Sequence, residues 1–251
     1  MICASMATLP ERAALLERAV GSLLPQVDRL HVYLDGHFDV PACLNDARVV
    51  FVHGRDAGNH KGNGKFYWGD ALGSGYHLTV DDDIVYPDNY VATMCAAVDR
   101  HHRRAVVGVL GMRFHAPLVS YHRSRTAYAI SMPLPVDVPV HAVGTGTLAH
   151  HTDAIRFTVA DFPKRFASDA QAAVAAKRAG VPMIAVARSA SWLVPMPTPG
   201  FSIYGIYDTT GDDTVKTSVI RGAAPWPVLP AIPDSVHEAI QVHYRQIGAS
   251  G

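Results

Sequence analysis

Residues 75–90, GYHLTVDDDIVYPDNY, decide the fold and raise the first question about function. A short apolar run ends at Val80, and three aspartates at residues 81–83, called here the aspartate triplet, follow it directly. The run predicts a buried strand over residues 76–80. Neighbouring carboxylates repel one another, and close to a core this repulsion is poorly screened. A metal ion, hydrogen-bond donors or solvent at a loop tip must therefore offset the repulsion.

The segments around this stretch alternate between strand and helix patterns. Further strands are predicted at residues 1–4, 30–34, 49–52 and 105–110, and a helix is predicted from residues 87–88 to about residue 103. Thr8 and Glu11 fit a capping box that opens an earlier helix. Apolar residues follow there at helical spacing, namely Leu16, Val20, Leu23 and Val27. The alternation predicts an α/β fold with a mostly parallel central sheet flanked by helices.

Polar residues follow three of the predicted strands. Asp35 comes after the second strand, the Gly- and Asn-rich loop 53–64 after the third, and the aspartate triplet after the fourth. In open α/β sheets, ligands bind beyond the carboxyl ends of the strands. These three segments are therefore expected to share one ligand site.

The second half of the chain is less regular. Strands are predicted at residues 128–132, 138–143 and 183–187, and helices at residues 169–179 and 235–247. Residues 195–233 hold seven prolines and are expected to form a long loop, a kind of segment that is often functional.

The composition indicates a folded protein that is not a general nucleic-acid binder. Hydrophobic residues make up 49% of the 251-residue chain and charged residues 18%, which suits a packed core. Lys+Arg and Asp+Glu both number 22, so the basic excess that nucleic-acid binding needs is missing. We therefore expect small-molecule partners and no nucleic acid.

The cysteines and the hydropathy pattern predict a cytoplasmic protein. Cys3, Cys43 and Cys95 are odd in number and form no CxxC pair, which favours a reducing compartment. We find no apolar run long enough to cross a bilayer and no signal-like start. Peripheral contact with a membrane is left open.

Three segments resemble one enzyme family. LTVDDDIVYPDNY (78–90) resembles the Asp-x-Asp (DXD) region of GT-A glycosyltransferases, particularly bacterial family 2-like enzymes. ICASMATLPERAALLERAVGSLLPQVDRLHVYLDG (2–36) resembles that family's opening strand, helix and second strand, and GRDAGNHKGNGKFYW (54–68) its segment before the Asp-x-Asp strand. The likeness covers about residues 1–95. It implies a single GT-A-type domain with a Rossmann-like sheet, in which residues 1–110 bind the donor and residues 111–251 the acceptor.

The resemblance implies a donor site for a nucleotide-diphosphate sugar, UDP- or GDP-linked. The residues implied to contact the donor are Ala7, Thr8, Asp35, Lys61, Lys65, Asp81 and Asp82. Lys65 is preferred over Lys61 for the phosphates, although ordinary loop lysines are solvated. Asp83 would ligate Mn or Mg, because hard divalent ions prefer carboxylate oxygen and keep positions open for phosphate. The alternative interpretation of the triplet is a solvated turn that caps the next helix.

The resemblance also implies a catalytic base and an acceptor site. Asp169 opens a predicted helix, where a carboxylate can take the proton of an acceptor hydroxyl. An ordinary cap formed by Ser168 or Asp169 is the alternative. Gly144, Thr145 and Gly146 resemble the small-residue segment beneath the acceptor; packing glycines are the alternative.

Two histidine pairs and a late loop are further candidate site residues. The pairs at residues 101–102 and 150–151 lack metal-site spacing. They are expected to be surface histidines or histidines that contact a metal ligand without binding the metal. The loop that runs from Gly200 to residue 217 is expected to close over the nucleotide, with Lys216 or Arg221 neutralising the leaving diphosphate.

The resemblance implies a metal-dependent glycosyltransferase, with inversion favoured over retention, that acts in bacterial surface polysaccharide or glycoconjugate synthesis. A nucleotidyltransferase is the enzymatic alternative, but it should carry a Gly-rich loop after the first strand, where this chain reads ASMATLPER. A non-catalytic nucleotide- or carbohydrate-binding module is the third interpretation.

Overall fold

A computed structural model describes residues 1–197 and 210–248. Within them the strands are β1 (Ile2–Thr8), β2 (Arg29–Leu34), β3 (Val49–His53), β4 (Tyr76–Val80), β5 (Val106–Gly108), β6 (Gly111–Phe114), β7 (Arg125–Tyr128), β8 (Val138–Val140), β9 (Ala142–Val143), β10 (Thr147–His151) and β11 (Met183–Ala185). The α-helices are α1 (Ala13–Leu23), α2 (Tyr90–Arg100), α3 (Ser168–Arg178), α4 (Thr214–Gly222) and α5 (Asp234–Gly248).

The main sheet has eight strands in the order β3-β2-β1-β4-β10-β5-β11-β8. All of them run in one direction except β10, which is antiparallel to β4 and β5, and β8, which is antiparallel to β11. A small sheet in the order β7-β6-β9 lies beside it. The predicted α/β fold with a mostly parallel central sheet is confirmed.

Alternating residues of the central strands enter two separate cores. Met6 of β1 and Leu78 of β4 pack with Leu16 of α1 and Met94 of α2 in one of them. The other contains residues of α3, of the small sheet and of the segment that precedes β4. Both sets are removed from water, as expected for parallel strands, which are covered on both sides. No described helix combines the length and apolar character needed to cross a bilayer.

The predicted capping box is wrong. Thr8 is the last residue of β1 and pairs with Leu34 of β2, and its carbonyl accepts a hydrogen bond from Asp35 N at 3.0 Å. A short 3₁₀ turn, Pro10–Arg12, follows, and α1 begins only at Ala13. Sheet pairing holds Thr8 extended, so a longer strand replaces the expected early helix start.

The second half departs further from prediction. The predicted strand at 138–143 is divided between β8 and β9 in different sheets, and β7 ends at Tyr128, where a strand was expected to begin. Helix α4 lies inside the expected 195–233 loop. Residues 198–209, which include most of the loop predicted to close over a nucleotide, lie outside the described residues.

Strand β10 was not predicted, and its position changes the interpretation of the histidine pair at residues 150–151. His150 and His151 are buried, because β10 lies between β4 and β5 in the middle of the sheet. His150 pairs with His77, at the far end of β4 from the aspartate triplet. The expectation of a surface position is therefore wrong for this pair. His102 of the other pair is exposed.

Candidate functional site

The ends of β1, β2 and β4 meet at one edge of the sheet, because these strands are parallel neighbours. Thr8, Asp35 and the aspartate triplet therefore lie along the same edge, as the sequence predicts. Thr8 and Asp35 are 2% and 4% exposed, and Ala7 is half-buried one residue earlier in β1. Lys61 Nζ forms an ion pair with Asp35 Oδ1 at 3.2 Å.

Within the described residues, two cations contact the aspartate triplet. Arg12 Nη1 donates to Asp82 Oδ1 at 2.7 Å and to Asp83 Oδ2 at 3.3 Å, and Lys65 Nζ forms a very short contact with Asp81 Oδ1. Arg12 reaches the triplet because the 3₁₀ turn after β1 lies over the neighbouring end of β4. These ion pairs offset part of the repulsion among the three carboxylates.

Asp82 keeps one carboxylate oxygen without a hydrogen bond. The residue is 2% exposed, and no group in the described residues bonds to Oδ2. A buried carboxylate oxygen without a partner is costly, and native structures rarely contain one without a ligand, ion or water. This atom is suited to accept a hydroxyl hydrogen or to ligate a cation.

The site is also short of positive charge. Burial and the negative charge of Asp81 raise the pKa of Asp83 to about 6, although Arg12 acts in the opposite direction. Within residues 1–197 and 210–248, no group of three or more His, Cys, Asp or Glu side chains is arranged to hold a metal ion. Mg²⁺ in nucleotide sites often takes only one or two protein carboxylates and completes its shell with water and substrate phosphates. Asp82 and Asp83 fit such a site.

The predicted acceptor segment adjoins the aspartate triplet. A Cβ atom on Gly146 would lie 1.9 Å from Asp81 Oδ2, so that any larger residue would force the Asp81 carboxylate to shift. Tyr86 Oη accepts from Asp81 N at 2.8 Å and donates to Gly146 O at 3.0 Å. A Cβ on Gly144 would lie 2.9 Å from the side chain of Leu110. The first glycine thus packs against the protein, and the second permits contact with Asp81.

Asp169 is held by this segment and does not cap its helix. Thr145 N and Thr145 Oγ1 both donate to Asp169 Oδ1, each at 2.8 Å. The N-cap of α3 is Ala167, and Ser168 Oγ bonds to Asn63 Oδ1 at 2.8 Å instead of to the helix. The alternative of ordinary caps therefore fails for both residues. No described group bonds to Asp169 Oδ2, so this oxygen can accept a proton.

The structure brings the predicted donor, metal and base residues to one edge of the sheet, while their roles stay predictions. The sequence interpretation missed Arg12, Tyr86 and Asn63. Asn63 Nδ2 donates to Phe162 O at 2.9 Å and thereby joins the Gly-rich loop to the segment before α3. Arg12 follows β1 closely in the sequence, which is a usable signal. The partners of Tyr86 and Asn63 are too distant in sequence to be inferred.

Gly146→Ala provides a test of the close contact at Asp81. We expect the free energy of unfolding to fall by about 1–3 kcal/mol, because the new methyl group overlaps a carboxylate oxygen and forces a shift. Gly21→Ala is the control. Gly21 lies in α1 with no atom within 4 Å of an added Cβ, so alanine should stabilise the protein by up to about 1 kcal/mol. Urea denaturation measures both, and equal effects would contradict the contact.

No protein-family model matches the chain, and no curated protein matches it. Among solved structures, the "Crystal structure of S. aureus TarS 1-349" is similar with a TM-score of 0.42 and 14% sequence identity. The match covers 78% of this chain and 59% of that chain, so this chain spans less than two thirds of that chain's length. A likeness at this level carries no argument about activity.

Proposed function

We propose that this chain is a metal-dependent glycosyltransferase that moves a sugar from a nucleotide-diphosphate donor to a hydroxyl acceptor. One observation carries the proposal: a buried carboxylate with an unsatisfied oxygen and a half-buried carboxylate held by one oxygen belong to segments in direct contact. Asp82 belongs to the triplet at the end of β4, and Asp169 is bound to Thr145 next to Gly146, which contacts Asp81. A donor-binding carboxylate and an acceptor base need such an arrangement.

The donor half of the proposal follows from the sheet edge. Asp35 and Lys61, paired at the end of β2, are proposed to contact the base and ribose. Lys65 and Arg12 place positive charge beside the triplet, where a diphosphate would need it. Asp82 and Asp83 are proposed to hold Mn or Mg, and such a cation would stabilise the negative charge of the leaving diphosphate.

The chemistry proposed for Asp169 is general base catalysis. The acceptor oxygen attacks the anomeric carbon of the donor, and the bond between that carbon and the diphosphate oxygen breaks. The hydroxyl proton goes to Asp169 Oδ2, while the nucleoside diphosphate leaves with the bonding electron pair. The two hydrogen bonds from Thr145 fix the carboxylate in place, and such positioning is part of the catalytic effect. A single displacement of this kind inverts the anomeric centre.

Thermal unfolding with nucleotides tests the donor site. UDP and GDP are the first probes, each with and without MnCl₂, since UDP- or GDP-linked sugars and glycan acceptors of bacterial polysaccharide synthesis are the proposed substrates. At about 100 times Kd, we expect one of them to raise Tm by about 5–10 °C, only when metal is present. Asp83→Ala should abolish this shift. No shift with either nucleotide would contradict the proposal.

Asp70→Ala is the control for this experiment. Asp70 is an exposed aspartate outside the site and has the same charge as Asp83. The variant should keep the full shift, because loss of one surface charge leaves the donor site intact. A shift that survives in Asp83→Ala and needs no metal would favour the non-catalytic nucleotide-binding module instead.

A further inference from the structure

A second charged cluster lies on the Asp169 side of the site, around the ring of Tyr121. Arg125 Cζ is 4.5 Å from the centre of this ring and Lys216 Nζ is 5.5 Å from it. Both cations are half-buried. In the part of the chain that the structure describes, neither has a carboxylate within ion-pair distance. Two cations that share one aromatic ring without an acidic partner form an unusual arrangement, since buried charges are normally paired.

The neighbouring carboxylate of Asp213 is already used to hold the cluster together. Its Oδ2 accepts from Ser120 Oγ at 2.5 Å and from His122 N at 2.8 Å, and its Oδ1 accepts from Thr217 Oγ1 at 2.7 Å. Thr217 Oγ1 in turn accepts from Tyr121 N at 2.8 Å. These bonds fix the start of α4 against the turn before β7. These hydrogen bonds occupy the Asp213 carboxylate, which forms no ion pair with Arg125 or Lys216 in the described residues.

The charges of the cluster act on the groups beside it. Burial, followed by the charges of Arg125 and Lys216, lowers the pKa of His122 to about 4. Burial also lowers the pKa of Lys216, with Asp169 opposing this change. By contrast, the side chains that change the pKa of Asp83 are its neighbours in the triplet, Arg12 and Lys65. Helix α4, which carries Lys216, packs against α3, which carries Asp169, so the cluster lies on the Asp169 side of the site.

We propose that Arg125 and Lys216 form a subsite for an anionic group on the acceptor, a carboxylate or a phosphate carried by a hydroxylated substrate. A planar guanidinium and an ammonium together can bind such a group through charge-assisted hydrogen bonds. Because α4 packs against α3, an acceptor anchored at Lys216 can present a hydroxyl to Asp169. The proposal rests on the proposed function and specifies its acceptor class.

Lys216 was expected from sequence to neutralise the leaving diphosphate, together with Arg221 as an alternative. Arg221 instead donates to the carbonyls of Leu118 and Val119 on the exposed side of α4. Its charge is used to fasten the helix to the 117–120 segment. Arg125 donates to Met112 Sδ at 2.9 Å and to His122 Nδ1 at 3.0 Å, and both partners are uncharged. A guanidinium has five N–H donors, so Arg125 keeps donors for a substrate anion.

Matched pairs of sugars test the subsite by calorimetric titration. Glucuronate and glucose 6-phosphate are compared with glucose, in the presence of MnCl₂ and whichever nucleotide stabilises the protein. The wild-type protein should bind at least one anionic sugar about tenfold or more tightly than glucose. Comparison of glucuronate with glucose 6-phosphate shows whether a carboxylate or a phosphate is preferred. Equal binding of all three, or no binding by the anionic sugars, overturns the proposal.

Two variants assign this preference to the cluster. The double variant Arg125→Gln, Lys216→Met should reduce the preference to less than about twofold, whereas Arg123→Gln, an exposed arginine in the same turn, should keep it. A preference that survives in the double variant overturns the proposal. Circular dichroism confirms that the variants fold. If the double variant does not fold, competition by inorganic phosphate against the anionic sugar in the wild-type protein decides, and absence of competition overturns the proposal.

The nucleotide measurements separate the two proposals. If the wild-type protein shows the Mn-dependent nucleotide shift but no anion preference, only the proposed acceptor subsite is overturned. If no nucleotide shifts Tm, the proposed function is overturned, and the sugar comparison is then carried out without nucleotide. The double variant should retain the nucleotide shift, because the described cations in contact with the aspartate triplet are Arg12 and Lys65.

Discussion

Asp169→Asn is expected to lower kcat by about 10²–10⁴-fold while leaving donor binding unchanged, the range that a general base contributes. Asparagine keeps an acceptor oxygen for the two hydrogen bonds from Thr145, so the segment beside the triplet should hold its conformation. The oxygen that takes the proton becomes an amide nitrogen, which cannot accept one. Steady-state kinetics with saturating donor and acceptor measure kcat, and the nucleotide thermal shift measures donor binding.

The same variant separates catalysis from acceptor contact. A rise in acceptor KM with kcat within tenfold of wild type would show that Asp169 only contacts the acceptor, as in a retaining enzyme. Asp70→Asn, the same change at an exposed position, should leave both constants unchanged. Proton NMR of the first product formed then identifies the anomer, and a retained configuration would contradict the single displacement.

The parallel part of the fold could be predicted because its signals are local. The strands that became β2, β3 and β4 each fall within one residue of the predicted bounds. Their continuous apolar runs end in turn-forming or acidic residues, and a parallel sheet buried on both sides needs such runs. The predicted edge with Asp35 and the aspartate triplet then follows from topology, since the carboxyl ends of parallel neighbours lie together.

The rest of the site depends on contacts between residues distant in sequence. Strand β10 reads TLAHH and lacks a clear strand pattern, yet it occupies the centre of the sheet. Its position brings Gly146 against Asp81, a contact between residues 65 positions apart that no local pattern indicates. In the same way, Arg12 reaches a triplet 70 residues later only through the pairing of β1 with β4. Tertiary pairing, and not local propensity, determines these positions.

Acidification from pH 7 to pH 4 is expected to destabilise the protein by several kcal/mol, through three buried histidines. Ser5 Oγ contacts His77 Nε2 at 2.8 Å and His31 Nδ1 at 3.4 Å, and His77 Nδ1 contacts His150 Nε2 at 3.3 Å. Burial is the main cause that lowers the pKa of His31 and His150 to about 4 and that of His77 well below 6.5. The network thus crosses four strands of the sheet with uncharged rings.

The sign of the effect follows from proton binding. Because these pKa values are lower in the folded protein than in the unfolded chain, the unfolded chain binds protons first as the pH falls below 6.5. The contribution of the neutral histidines to the free energy of unfolding is therefore fully present above pH 6.5. It is lost between pH 6.5 and about pH 4, by about 3 kcal/mol for His150 and a similar amount for His31. Asp83 acts in the opposite direction, because its pKa is raised from 3.8 to about 6 in the folded protein. As the pH falls through this range, the folded protein binds this proton first, which raises the free energy of unfolding by about 3 kcal/mol.

His150→Gln isolates one member of the network. The variant should lose about 3 kcal/mol of the difference in unfolding free energy between pH 7 and pH 4, because glutamine does not titrate. His237→Gln, at an exposed position in α5, should keep the wild-type pH dependence. Urea denaturation at both pH values measures the two differences. Since the comparison subtracts every other titrating group, Asp83 included, an unchanged pH dependence in His150→Gln would show that this ring is protonated equally in the folded and unfolded states.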